Sequence, residues 1–145
     1  MKNHVEQLNS FLRGEIAAVE TYRQAIDKVT DASVRLQLEH CRRSHQQRAD
    51  LLKERVQRVG GTPADGSGVW GAFAKLLEGG AKLFGDKAAI DVLEQGEDHG
   101  LSDYRSHLEE LESDERFFVE QELLPGQEQT HSAMSTLKHE AHVHR

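Results

Sequence analysis

The sequence has few cysteine, proline and aromatic residues. Cys41 is the single cysteine, there are two prolines, and 6% of the 145 residues are aromatic. A single cysteine excludes an intrachain disulfide, so the reducing cytoplasm is the expected compartment. Few prolines and few aromatic residues favour helices over sheets. With 37% hydrophobic and 30% charged residues, the chain is expected to form one domain around a single core.

The sequence also lacks a basic excess and a long apolar segment. The net charge is −7, and the one local basic group is Arg42, Arg43 and Arg48, so nucleic acid is not expected as a partner. No apolar run approaches the roughly 20 residues that cross a bilayer, and the polar start of the chain does not look like a signal peptide. No membrane span is therefore expected.

Apolar residues at alternating three- and four-residue spacing predict four helices, at about 3–29, 33–59, 87–112 and 114–138. The short turn at Thr30 and Asp31 predicts an antiparallel first hairpin, and a side-chain oxygen there can cap the second helix. Glycines and a proline within residues 60–68 end that hairpin. Pro125 is expected to kink or split the last helix, because proline removes a backbone hydrogen bond.

Between the two predicted hairpins lies an apolar segment, at about 69–84, that contains Trp70, Phe73 and Phe84. A helix of ~27 residues is about 40 Å long, so a chain that returns along its length needs a helical crossover of this kind. Its large side chains are expected to cover the bundle or to form a homodimer contact. An amphipathic helix on a membrane surface is the alternative.

Glutamates occupy two positions that the apolar pattern reserves for core residues. Glu15 fills a gap in the stripe of the first helix and Glu97 a gap in that of the third, while His45 lies on the core stripe of the second. A buried carboxylate costs several kcal/mol unless it is paired, hydrogen-bonded or bound to a metal. The two glutamates therefore predict a polar cluster inside the domain.

The two hairpins resemble each other in sequence. Gly14-Glu15 and Tyr22-Arg23 recur as Gly96-Glu97 and Tyr104-Arg105, each displaced by 82 positions. The second helices carry His45 and His131, which are 86 positions apart. Three residues before His131 stands Glu128, on the same helical face, and the matching residue of the first hairpin is Arg42.

This pattern resembles the ferritin-like carboxylate bundles, and more closely a family of small, functionally uncharacterised bacterial proteins of that fold. The resemblance implies an all-α, up-down-down-up four-helix bundle with a long crossover between the second and third helices. It also implies a site for iron or manganese. The implied metal ligands are Glu15, His45, Glu97, Glu128 and His131, with Tyr22 and Tyr104 as hydrogen-bond donors to the carboxylates.

Arg42 is the departure from this pattern, since it stands where a bridging carboxylate is expected. Three carboxylates and one guanidinium sum to −2, which matches one divalent ion, or none if protons and hydrogen bonds neutralise the site. The sum favours zero or one bound ion over two. Arg42 is expected to contact at least one of the carboxylates.

Two classes of function follow. One is a di-iron or di-manganese oxidase, or a ferroxidase-like or peroxide-reacting oxidoreductase. The other is a bundle of unknown biological role with a degenerate, single-metal or metal-free site, acting as a structural or stress-related interaction protein. Arg42 favours the second class and a chain that is not an enzyme, while metal binding stays open.

Overall fold

The computed structural model describes residues 4–66 and 85–143, and every regular element within them is helical. The elements are α1 (His4–Lys28), α2 (Ala32–Arg58), α3 (Asp86–His107), α4 (Ser113–Phe118) and α5 (Leu124–Val143). A 3₁₀ turn, Leu108–Glu110, follows α3, and a π-helical turn, Val119–Leu123, joins α4 to α5. The prediction of an all-α chain with four helices is therefore confirmed, with α4, the π turn and α5 forming the fourth.

Two details of the helix bounds differ from expectation. The third α-helix ends at His107 rather than near 112, and the fourth extends to Val143 rather than 138. The predicted crossover, with Trp70, Phe73 and Phe84, lies outside the described residues, so its packing and the homodimer contact stay predictions. Along the described part of the chain, none of the helices combines the length and the apolar character needed to cross a bilayer.

Hydrogen bonds at the helix ends fix how the helices are placed. Asp31 caps α2 by accepting from the Val34 N–H at 3.0 Å, as the sequence predicted. The backbone N–H groups of Thr30 and Asp31 both donate to the Asp86 carboxylate, each at 2.9 Å. The end of α1 and the starts of α2 and α3 therefore meet at one end of the domain.

Other contacts mark the opposite end. The Asn9 side chain on α1 donates to the Thr62 carbonyl at 2.9 Å and accepts from the Ala64 N–H at 2.7 Å. Arg55 near the end of α2 pairs with Glu115 at the start of the fourth helix, at 2.6 Å. Each helix therefore runs antiparallel to both of its neighbours: α1 to α2 and α3, and the fourth helix to α2 and α3.

The interior consists of two apolar clusters with a polar layer between them. One cluster centres on Leu8, Phe11 and Leu52, and the other on Val29, Leu38 and Met134. On α1, α2, α3 and α5, the buried polar residues fall between the residues that enter the two clusters, whereas the buried Glu115 on α4 lies apart from this layer. The polar layer comprises Glu15, Tyr22, His45, Arg48, Glu97, Tyr104, Gln127 and Thr130.

The π turn sets which face of the fourth helix looks inward. Glu115, Val119, Leu123 and Gln127 are all buried and are spaced four residues apart. In an α-helix of 3.6 residues per turn, the step of 12 residues from Glu115 to Gln127 would turn Gln127 about 120° away from the face of Glu115. The wider π turn takes up one extra residue, so that Gln127 and then Thr130 still face the core.

Candidate functional site

The centre of the polar layer is His45, held between two glutamates. Its Nδ1 lies 2.6 Å from Glu15 Oε1 and its Nε2 lies 2.7 Å from Glu97 Oε2. The three residues come from α2, α1 and α3, and each is 3% exposed or less. An ionised carboxylate only accepts hydrogen bonds, so both ring nitrogens must donate. His45 is therefore an imidazolium ion.

A second buried cation, Arg48, lies one turn further along α2 and is 2% exposed. Its Nε is 3.6 Å from Glu15 Oε2. Its two terminal nitrogens donate to Gln127 Oε1 at 3.0 Å and to Thr130 Oγ1 at 3.2 Å. The guanidinium therefore joins the glutamate of the first hairpin to the fourth helix.

Further hydrogen bonds complete the contacts of the four carboxylate oxygens. Tyr104 donates its hydroxyl to Glu15 Oε2, and Tyr22 donates to Glu97 Oε2. Glu97 Oε1 accepts from Gln127 Nε2 at 2.9 Å and from Thr130 Oγ1 at 2.8 Å. All four carboxylate oxygens have partners, and two carboxylates, one imidazolium and one guanidinium sum to zero charge.

The pKa values follow from this geometry. Burial is the largest influence on the pKa of His45 and lowers it, as does the charge of Arg48, but the charges of Glu97 and Glu15 outweigh both and leave the pKa raised. Burial raises the pKa of Glu15, but the charges of Arg48 and His45 bring it below its usual value. Burial also raises the pKa of Glu97, and His45 brings that value below the usual one. Opposite charges thus keep all three groups ionised despite burial.

Tyr22 and Cys41 are held in their neutral forms. Burial, followed by the charge of Glu97, raises the pKa of the Tyr22 hydroxyl well above 10 and that of the Cys41 thiol to about 12. A thiol with such a pKa is a poor nucleophile at neutral pH. Cys41 therefore serves as a small core residue, next to the polar layer.

Three residues predicted to join the cluster lie outside it. Glu128 has a side chain that is 49% exposed and pairs with Arg105 at 3.2 Å. His131 Nε2 contacts Asp98 at 2.6 Å on the outer face of α3 and α5. Arg42 Nε donates to its own helix neighbour Glu39 at 3.1 Å. The predicted convergence is right for Glu15, His45 and Glu97, and wrong for Glu128, His131 and the Arg42 contact.

The cause is a misassigned register between the two hairpins. Matching His45 to His131 gives a displacement of 86, whereas the structure matches His45 to Gln127 and Arg48 to Thr130, both 82 positions apart. This is the displacement already present between Glu15 and Glu97. A constant displacement, applied to His45 and to Arg48 on the same stripe, was the signal that would have pointed to Gln127 and Thr130.

A cavity of about 30 Å³ lies between α1 and α3, beside Glu15 and Glu97. Small residues on both helices leave this space, and aromatic and aliphatic side chains form most of its walls. It holds about one or two water molecules by volume. The lining residues are Phe11, Gly14, Glu15, Ala18, Tyr22, His45, Leu93, Gly96, Glu97, Gly100, Asp103, Tyr104 and Gln127.

The cluster does not fit the two-metal centre that the resemblance implies. Among the described residues of the polar layer, two carboxylates take the place of four, and the imidazole has protons on both nitrogens, so it has no lone pair to offer. The fixed charge of Arg48 stands beside Glu15. Chemically, the arrangement holds protons and internal ion pairs in place and leaves both carboxylates without a free oxygen.

Comparison with known proteins identifies a family for this chain. No curated protein and no solved structure matches the chain. The model of a family described as a domain of unknown function, DUF2383, matches residues 3–110. The matched span includes Glu15, His45, Arg48 and Glu97, and it ends before the fourth helix. Because it covers well over half of the 145 residues, the chain belongs to the DUF2383 family.

Proposed function

We propose that the chain is a ferritin-like bundle whose interior carboxylate site is neutralised by its own histidine and arginine instead of by metal ions. It then acts as a non-catalytic protein, through its surface, in a structural or interaction role. The observation that carries this proposal is the position of His45 and Arg48, which pair with Glu15 and Glu97 where a ferritin-like bundle would hold its ions.

The order of the helix ends supports the ferritin-like topology. The starts of α2 and α3 meet at Asp86, so these two consecutive helices run in the same direction. With α1 and the fourth helix antiparallel to both, the directions are up, down, down and up. This arrangement needs one long connection, between α2 and α3, as ferritin-like folds have.

The repeat supports the proposal that the metal ligands of a ferritin-like site are absent from this layer. Two-metal carboxylate bundles use one glutamate from each of two helices and a Glu-x-x-His pair from each of the other two. Here Glu15 and Glu97 fill the first role. The inward-facing pairs at the same three-residue spacing are His45 with Arg48 on α2 and Gln127 with Thr130 on α5. No inward position of these two pairs retains a glutamate.

The charge of the cluster makes it costly to bind the metal ions that the oxidase or ferroxidase alternative requires. The cluster is already neutral, so two divalent ions would add four positive charges to a buried site, and even one ion would add two. Loss of the His45 proton would offset one of these charges, while Arg48 cannot lose its charge. A degenerate, metal-free site agrees best with these contacts.

The test is to rebuild the ligand set at the positions that the structure identifies. A quadruple variant, His45→Glu, Arg48→His, Gln127→Glu and Thr130→His, recreates two Glu-x-x-His pairs facing Glu15 and Glu97. After reconstitution with Fe²⁺ or Mn²⁺ and desalting, elemental analysis should find two ions per chain more in the variant than in the wild type. The matched control is Arg42→Glu, a charge reversal on the outer face of the same helix, which should add none.

Two results would contradict the proposal. The first is a wild-type protein that retains two ions per chain and loses them in Glu97→Gln. The second is a gain of core ions in Arg42→Glu, which would mean that Arg42 and not Arg48 suppresses the site. Circular dichroism of each variant ensures that the comparison is between folded proteins.

A further inference from the structure

A second group of metal-ligating side chains lies outside the polar layer, on the seam between α3 and α5. Glu94 and Asp98 are four residues apart and share one face of α3, and His131 faces them from α5. One donor atom from each residue lies within 4.8 Å of the other two. The shortest approach, from His131 Nε2 to Asp98 Oδ1, is 2.6 Å. The group is thus assembled from two helices.

This group lies where the first hairpin has an apolar contact. The residues 82 positions earlier are Leu12, Ile16 and Ala49, and they belong to the apolar packing between α1 and α2. All three positions of the second hairpin carry residue types that ligate metals. The second hairpin therefore has one imidazole and two carboxylates at the positions where the first hairpin has an apolar contact.

We propose that Glu94, Asp98 and His131 form a surface site for a divalent transition-metal ion such as Zn²⁺. One imidazole nitrogen and two carboxylate oxygens are ligands that Zn²⁺ accepts, with water completing the coordination. Two carboxylates balance the charge of one divalent ion. The site is separate from the interior cluster and does not depend on how that cluster is neutralised.

Lys138 is the internal competitor for this site. Its amino group lies 3.4 Å from Glu94 Oε1, and its side chain is 41% exposed. A flexible lysine on the surface gains little from such a pair, so an incoming ion displaces it at small cost. Removal of the Lys138 amino group should therefore strengthen binding of the ion. A purely structural role for Glu94, Asp98 and His131 would not predict this result.

The experiment is calorimetric titration of untagged protein with ZnCl₂ near neutral pH. We expect one ion per chain, at least about tenfold weaker binding in His131→Gln and in Asp98→Asn, and tighter binding in Lys138→Gln. The loss in the ligand variants should be no smaller than the 10- to 100-fold typical for removal of a partner that only orients a metal ligand. The matched control is His142→Gln, because His142 contacts Asp91 at 3.1 Å on the same seam. It should bind Zn²⁺ like the wild type.

Unchanged affinity in both His131→Gln and Asp98→Asn would overturn the proposal, as would a loss of binding in His142→Gln equal to that in His131→Gln. An ion that survives both ligand variants and is lost in Glu97→Gln would place the metal in the interior instead. The two proposals can fail independently. His131→Gln and Asp98→Asn test the surface site, and Glu97→Gln tests the metal-free interior.

Discussion

At the scale of single residues, the polar layer shows what a helical pattern can and cannot identify. The gaps in the apolar stripes identified Glu15 and Glu97, and the stripe of α2 identified His45. Arg48 lies on the same stripe, three residues after His45, but a charged residue on a helix is usually solvated, so the stripe alone does not predict its burial. Its partners, Gln127 and Thr130, are distant in sequence, so the contact that makes its burial tolerable was not visible.

Stability should depend on pH through His45. Its pKa is raised in the folded protein, so its contribution is complete below about pH 6.5 and is lost as the pH rises through the folded-state value. The pKa values of Glu15 and Glu97 are lowered, so their contributions are present above about 4.5 and are lost as the pH falls through the folded-state values. These three groups together stabilise the protein most between about pH 4.5 and 6.5.

Urea denaturation of the wild type and of His45→Gln at a series of pH values measures this effect. Above pH 6.5, the difference in free energy of unfolding between the two proteins should shrink by up to about 1.4 kcal/mol per pH unit. Two profiles that stay parallel from pH 5 to pH 9 would show that His45 does not carry the charge assigned to it.

Arg48→Met should destabilise the protein by about 3–5 kcal/mol, since it leaves the buried Glu15 without its guanidinium partner. Adding Glu15→Gln to this variant removes the excess negative charge of the cluster and should recover part of the loss. A double-mutant cycle from urea denaturation should therefore give a coupling of about 0.5–3 kcal/mol. Strictly additive effects of the two substitutions would mean that Arg48 and Glu15 do not stabilise each other.

At the scale of elements, the fourth helix is the part that the sequence described least well. Proline predicted an irregularity near residue 125, and the structure has its π turn at Val119–Leu123, directly before the α5 residues Leu124 and Pro125. The buried residues of α2 follow the spacing three, four, three from Leu38 through Cys41 and His45 to Arg48. Those of the fourth helix have one residue more between Val119 and Leu123. A one-residue insertion rotates the residues that follow it, and helical periodicity therefore gave the wrong inward pair after it.

Deletion of Gln121, an exposed residue of the π turn, should be tolerated. The deletion leaves buried residues at α-helical spacing on both sides, so an ordinary α turn can replace the π turn without moving Gln127 or Thr130 from the core. We expect the free energy of unfolding to change by less than about 1 kcal/mol, within the range of a typical single mutation. Thermal and urea denaturation followed by circular dichroism measure the change.

The matched control is deletion of Arg43, an exposed residue of α2 between Cys41 and His45. This helix has no extra residue, so the deletion rotates His45 and Arg48 about 100° away from the glutamates. It should abolish cooperative unfolding. Equal damage from both deletions would show that the π turn is required and does not merely accommodate an insertion.

At the scale of the whole molecule, the fold was more predictable than the site. Loop lengths and periodicity gave four helices and an antiparallel first hairpin, because both depend on residues close in sequence. The polar layer depends on contacts between the hairpins: Tyr22 with Glu97, Tyr104 with Glu15, and Arg48 with the fourth helix. Each apolar cluster contains residues of both hairpins and makes only non-directional contacts, so we expect the polar layer to fix their relative register.

A buried polar network of this kind is expected to confer specificity more than stability. The test replaces all of its members with apolar residues of similar size: Glu15→Leu, Tyr22→Phe, His45→Leu, Arg48→Met, Glu97→Leu, Tyr104→Phe, Gln127→Leu and Thr130→Val. We expect the free energy of unfolding to stay equal or to rise by about 1–4 kcal/mol, as for other buried ion pairs exchanged for apolar residues. Glu97→Leu alone should instead cost about 3–5 kcal/mol, because it leaves His45 and Arg48 with one carboxylate between them.

The register should be what the apolar variant loses. Without polar partners, the hairpins can slide or exchange between chains, since apolar contacts are not directional. Light scattering should then show mixed oligomers, and amide NMR spectra should show more than one state, while the wild type gives one set of signals. A homogeneous apolar variant with a single set of signals would mean that shape alone fixes the register, and that the Glu15, His45 and Glu97 cluster is retained for some other reason.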